Sequence, residues 1–141
     1  MPSLDDDDGA LPVLVYSSHA GHRAEIMRAL GTRPAPDVTV HADEAATADT
    51  VVERLAGPDG RGGRYALAIL DGEAAPSGGM GLARRLRDEI PGCPPLLVVT
   101  ARAADAWLAR WSRADASLAR PLDPFELAAT VTGLLKRRIA R

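Results

Sequence analysis

The feature that most constrains this chain is a repeated change of rhythm, from a short apolar run to a segment with helical spacing. The apolar runs are LPVLVYS (11–17), VTVHA (38–42), YALAIL (65–70), PGCPPLLVVT (91–100) and ASLA (116–119). Each is followed by a helix signal, in order HAGHRAEIMRAL, DEAATADTVVERLAG, GLARRLRDEI, AADAWLARWSRA and DPFELAATVTGLLKRRIA. Strands that are apolar throughout, rather than alternating, belong to a parallel sheet covered on both faces. Strand-then-helix repeats joined by right-handed crossovers make a doubly wound α/β layer structure. The sequence therefore predicts a five-stranded parallel sheet with five helices.

The local signals agree with this reading. In the first helix Ile26, Met27 and Leu30 recur at helical spacing and Gly31 stops the run. The last helix is the best defined: Asp123 suits its cap, Pro124 its first turn, and Glu126 completes a capping-box spacing. GPDGRGGR lies between a helix and a strand, whereas a phosphate cradle lies between a strand and a helix, so no phosphate role is assigned to it.

With 141 residues the chain has room for one ordinary domain, read as residues 11–141 behind an acidic leader over 1–10. The leader, MPSLDDDDGA, has no basic start or apolar stretch and is read as disordered rather than as a signal peptide. The net charge of -2 rests on its four aspartates, and the remainder is too mildly charged to suggest nucleic acid. A single cysteine, Cys93, excludes an intramolecular disulfide and fits a reducing cytoplasm. No apolar run approaches a membrane span, so neither nucleic acid nor membrane is expected as a partner.

In sheets of this kind the functional crevice lies outside the carboxyl ends of the strands. The residues at those ends are Ser17 and Ser18, Asp71 to Glu73, Thr100 and Ala101, and Arg120 and Pro121. LAILDGEAAP ends the third strand in Asp, LLVVTA ends the fourth in Thr-Ala, and ADASLARPLDPFEL carries a basic residue followed by Pro. In this order, over roughly residues 11–138, these motifs resemble the receiver domain of bacterial two-component response regulators, which implies the flavodoxin-like fold with strand order 2-1-3-4-5. The lysine-poor, alanine- and glycine-rich composition suggests a GC-rich bacterial genome, and the resemblance is to a receiver of actinobacterial type.

The resemblance implies roles for particular residues. Asp71 matches the phosphoacceptor, Thr100 the hydroxyl residue that moves toward the phosphoryl group, and Ala101 the small residue that leaves it room. Arg120 stands where the family has lysine, Pro121 matches the proline after it, and Gly81 the glycine that opens the third helix. Three departures follow. Ser17 and Ser18 replace an acidic pair that helps hold Mg²⁺, an ion that favours six oxygens with carboxylates supplying charge. Arg120 brings a planar fork suited to carboxylates, so an Asp71–Arg120 ion pair is expected. Ser117 replaces the switch aromatic three residues before the basic one, which removes the usual relay from the threonine.

Plainer readings stand beside these. Ser17 and Ser18 are expected to cap the first helix. His19 and His22 share a spacing that suits metal, but no third ligand accompanies them, and Cys93 is read as an inert thiol. Trp107 and Trp111 lie four apart on the fourth helix, too much aromatic surface for a short outer helix to bury. With Ser117 they are assigned to a partner or homodimer surface made by the fourth helix, fifth strand and fifth helix.

The resulting expectation is a stand-alone atypical receiver, not an enzyme, that signals in the cytoplasm by protein binding, without conventional phosphorylation and with no resident cofactor. Two alternatives remain open. One is a phosphorylatable receiver in which Asp71 and Glu73 hold Mg²⁺. The other is an FMN- or cobalamin-binding module of the same topology, although SSHAGHR lacks the phosphate loop that FMN requires and fails the cobalamin pattern at Ser17 and His22.

Overall fold

The computed structural model describes residues 9–58, 60, 64–73, 78–102, 105, 107, 110 and 112–139. The elements, in chain order, are β1 (Leu11–Tyr16), α1 (Ala20–Leu30), β2 (Val40–Ala45), α2 (Ala48–Ala56), β3 (Leu67–Asp71), α3 (Gly79–Glu89), β4 (Leu96–Thr100), β5 (Ala116–Ala119) and α4 (Pro124–Ile139). The five strands form one sheet in the order β2-β1-β3-β4-β5, and every neighbouring pair is parallel. Among the described residues there are thus four helices. Half of the fourth predicted helix, over 103–114, falls outside them.

Period-two alternation of the strands sends successive side chains to opposite faces. Val13, Val15, Leu67, Ile69, Leu97 and Val99 face one side, where Ile26 and Leu30 of α1 and Leu127, Val131 and Leu135 of α4 cover them. Leu14, Tyr16, Ala68, Leu70, Leu96 and Val98 face the other, beneath Val51 and Leu55 of α2 and Leu82 and Leu86 of α3. The strands read as continuous apolar runs because each face has its own pair of helices. At about 25 cal/mol per Å² of apolar surface withdrawn from water, these two cores are the principal favourable contribution to folding.

The second strand and second helix differ from the sequence reading. Asp43 and Glu44, read as acids at a helix start, belong to β2, which runs to Ala45 in register with Tyr16. The helix begins only after Thr47, whose hydroxyl caps it by accepting from the Thr50 N–H. The two charges sit on an edge strand and are matched from either side. The Tyr65 hydroxyl donates to Asp43 at 2.7 Å, and Arg23 Nε donates to Glu44 at 3.0 Å. Edge strands carry charge readily, because it discourages pairing with another chain.

Candidate functional site

The rim is built where strands end. β1 delivers Ser17, β3 ends in Asp71, β4 ends in Thr100, and β5 leads into Arg120. Asp71 pairs in register with Val99 of β4, and the next N–H, that of Gly72, bonds to the Val99 carbonyl at 2.8 Å. A Cβ on Gly72 would stand 2.9 Å from that same oxygen, so glycine is what lets the chain turn directly after the aspartate. On the far side the Arg120 N–H bonds to the Thr100 carbonyl at 2.9 Å, which carries its side chain back toward β3. The Arg120–Pro121 peptide is cis.

Asp71 is fully buried, and both of its carboxylate oxygens are engaged. Oδ1 accepts from the backbone N–H of Glu73 at 2.9 Å and from Arg120 Nη1 at 3.1 Å. Oδ2 accepts from the Ser17 hydroxyl at 2.7 Å and lies 2.9 Å from Nδ1 of His22. An ionised carboxylate has no hydrogen to give, so the His22 ring carries its hydrogen on Nδ1. Burial by itself raises the Asp71 carboxyl pKa. The Glu73 N–H, the Ser17 hydroxyl, His22 and Arg120 outweigh it, and the net displacement is downward from 3.8. Tyr16, immediately before the site, is displaced upward by burial and by the nearby Asp71 charge.

The other rim residues are distributed differently. Thr100 is buried, but its hydroxyl donates to the Arg102 carbonyl at 3.0 Å. Glu73 contributes its backbone, while its side chain is exposed. Ala101 is half-buried, Pro121 is exposed, and Gly81 lies within the first turn of α3, which begins at Gly79.

The expected capping by the serines is corrected. His19 is the N-cap of α1, and its ring accepts from the His22 N–H at 3.4 Å. Ser17 instead faces inward, donating to Asp71 while accepting from the His19 N–H at 3.0 Å, and Ser18 is exposed. The reason is direction: Ser17 continues the strand, so its hydroxyl points along the rim rather than up into the helix.

Three residues of α1 join the site, of which only His22 is singled out in the sequence, and there for its spacing to His19. His22 reaches Asp71, Arg23 Nη1 donates to the Ser17 carbonyl at 2.6 Å, and Glu25 accepts from Arg120 Nε at 3.2 Å. The spacing of His22 and Glu25 would have revealed a shared helix face, but not that the face is turned toward β3 and β5.

A magnesium ion calls for an array of oxygens with carboxylates among them. What surrounds Asp71 is a guanidinium, an imidazole, a hydroxyl and a backbone N–H, all of them donors toward the carboxylate. Among the described residues no group of three His, Cys, Asp or Glu stands close enough to hold a metal. The residues present therefore do not fit the ion.

Of the predicted partner surface, Trp107 is 59% exposed and Ser117 is half-buried in β5, opposite Val98. Trp111 lies outside the described residues. Phe125, in the first turn of α4, is 86% exposed. Among the described residues no helix is long and apolar enough to cross a membrane.

No protein-family model matches the chain. In sequence it is 48% identical over 134 residues to an uncharacterized response regulatory protein of Mycobacterium tuberculosis, found in two strains, covering 94% of this chain and 97% of the relative. In fold it is similar to a CheY-like response regulator receiver domain protein from Methanospirillum hungatei, with a TM-score of 0.71 at 18% identity over 93% of this chain and 98% of the other. The receiver domain of Francisella response regulator 1452 gives 0.70 at 18% identity, over 90% and 98% of the two chains. An aspartate closing the third of five parallel strands and a near-full-length relative at this identity agree: the chain belongs to the response regulators of two-component signalling, as a receiver domain.

Proposed function

We propose that this receiver signals in the cytoplasm by binding a protein partner, with its rim held in one state instead of being switched by conventional magnesium-dependent phosphorylation of Asp71. The observation that carries this reading is the saturation of the carboxylate. Asp71 is buried with four donors on its two oxygens. A phosphoryl group entering there must displace Arg120, Ser17 or His22, and the nearby Glu25 carboxylate is already paired with Arg120 instead of free to share a neutralising cation. Arg120 is itself 15% exposed, and its Nε and Nη1 are already held by Glu25 and Asp71, which leaves only the buried Nη2 without a partner.

Binding is the output that a fixed rim still permits. Trp107 and Phe125, large apolar side chains left in water, supply the kind of anchors on which interfaces are built. The surface assigned to the partner or to a second copy is therefore the one carrying Trp107, Ser117 and the start of α4.

Beryllium fluoride with Mg²⁺ imitates a phosphorylated aspartate, and amide NMR spectra recorded with and without it test the reading. The spectra are expected to superimpose at residues 71–73, 100–102 and 119–120. A saturable shift at those positions, lost in Asp71→Asn, would show an active phosphoacceptor.

A further inference from the structure

His22 and Glu25 are three residues apart on α1 and so share one face of it. His22 meets Asp71 Oδ2 at 2.9 Å, and Glu25 meets Arg120 Nε at 3.2 Å. Arg120 Nη1 in turn meets Asp71 Oδ1 at 3.1 Å. Aspartate, arginine, glutamate and histidine thus form a closed ring, and one side of the ring is the helix itself. Arginine suits this place because its fork presents separate donors to two carboxylates.

The packing of α1 is uneven in the same direction. Its buried residues are Ile26 and Leu30, both in the second half. In the first half Ala20, Gly21 and Ala24 are exposed and His22 is half-buried, while Arg23 is mostly covered. The first half is therefore held by polar ties: His22 to Asp71, Arg23 to the Ser17 carbonyl and to Glu44, and Glu25 to Arg120. Gly21 adds further backbone freedom there. Segments with few buried apolar contacts are those that open locally at low free-energy cost.

We propose that the first half of α1 is a polar lid over Asp71, hinged on Ile26 and Leu30, and that Glu25 is its anchor through Arg120. This rests on the reading of Asp71 as a locked carboxylate and names what controls access to it. A partner that competes for Glu25 or Arg120 then lifts the lid without disturbing the core.

The test is carboxylate labelling of the folded chain with a water-soluble carbodiimide and glycinamide, mapped by peptide mass. Asp37, 69% exposed, serves as the internal reference. Amide hydrogen exchange is measured in parallel. In the wild type Asp71 is expected to label many-fold less than Asp37. In Glu25→Gln its labelling should rise several-fold, and exchange should quicken at 20–24 but not at 26–30. Glu25→Asp, which keeps the charge and shortens the reach, should behave in the same way. If Asp71 is protected in the wild type and equally protected in both variants, with exchange unchanged, the lid is overturned while the lock stands. If Asp71 labels as readily as Asp37 in the wild type, the lock itself falls, and the lid with it.

Discussion

Arg120 holds Asp71 with one nitrogen and Glu25 with another, at 3.1 and 3.2 Å. A single side chain from the end of β5 thus joins the end of β3 to the face of α1. Asp71 is fully buried and Arg120 nearly so, which sets the energy scale of the pair. Removing one partner of a buried ion pair leaves the other uncompensated and costs more than the pair's own net contribution.

Arg120→Ala is expected to lower stability by about 3 kcal/mol, the range for breaking a buried pair. Arg120→Lys should recover part of this, since an ammonium keeps the charge but not the fork. Urea unfolding of the three proteins checks both statements. A neutral Arg120→Ala would mean that the pair contributes nothing.

Ser17→Ala removes a hydroxyl that donates to Asp71 at 2.7 Å and accepts from the His19 N–H at 3.0 Å. Hydrogen bonds to charged groups are worth about 1.5–3 kcal/mol, so a loss in that range is expected on urea unfolding. Ser18→Ala, at an exposed position, should cost less than Ser17→Ala.

Asp71 is displaced downward from 3.8 in the folded chain, so the unfolded chain binds its proton more tightly. Its contribution to stability is then complete above the unfolded value and is lost as the pH falls through the lower folded value. The difference in unfolding free energy between wild type and Asp71→Asn should stay level from neutrality to about pH 5 and shrink below about pH 4. A difference that grows in acid would reverse the sign and contradict the assignment.

Trp107 is 59% exposed, and its replacement by alanine should change stability by no more than about 0.5 kcal/mol, as for ordinary surface positions. Its effect should appear in association instead. Sedimentation of the wild type, Trp107→Ala and Phe125→Ala across a concentration series would show self-association weakened by the substitutions if the partner is a second copy. Unchanged monomers throughout would direct the surface toward a different protein.

Most of the architecture was legible in the residues, because five apolar runs with helices between them leave few alternatives. The fifth strand, Ala116–Ala119, and the start of α4 after Asp123 match the reading, with Asp123 accepting from the Phe125 N–H at 3.0 Å. Asp71 and Arg120 were found as strand ends, where sequence position alone fixes location on the rim. His22 and Glu25 were not found in this way, since a helix face gains meaning only once its rotation against the sheet is known. β2 misled for a related reason. Acids at 43 and 44 suit a helix start as well as an edge strand, and only the Tyr65 and Arg23 partners distinguish the two.

The central claim is that Asp71 is held and not phosphorylated, and intact-mass measurement after incubation with acetyl phosphate and Mg²⁺ tests it most directly. Asp71→Asn is run beside the wild type as the control. The account predicts that the folded wild type keeps its mass and matches the control. One added phosphoryl group on the wild type, absent from Asp71→Asn, would contradict it and show a working switch in which Ser17 and His22 give way.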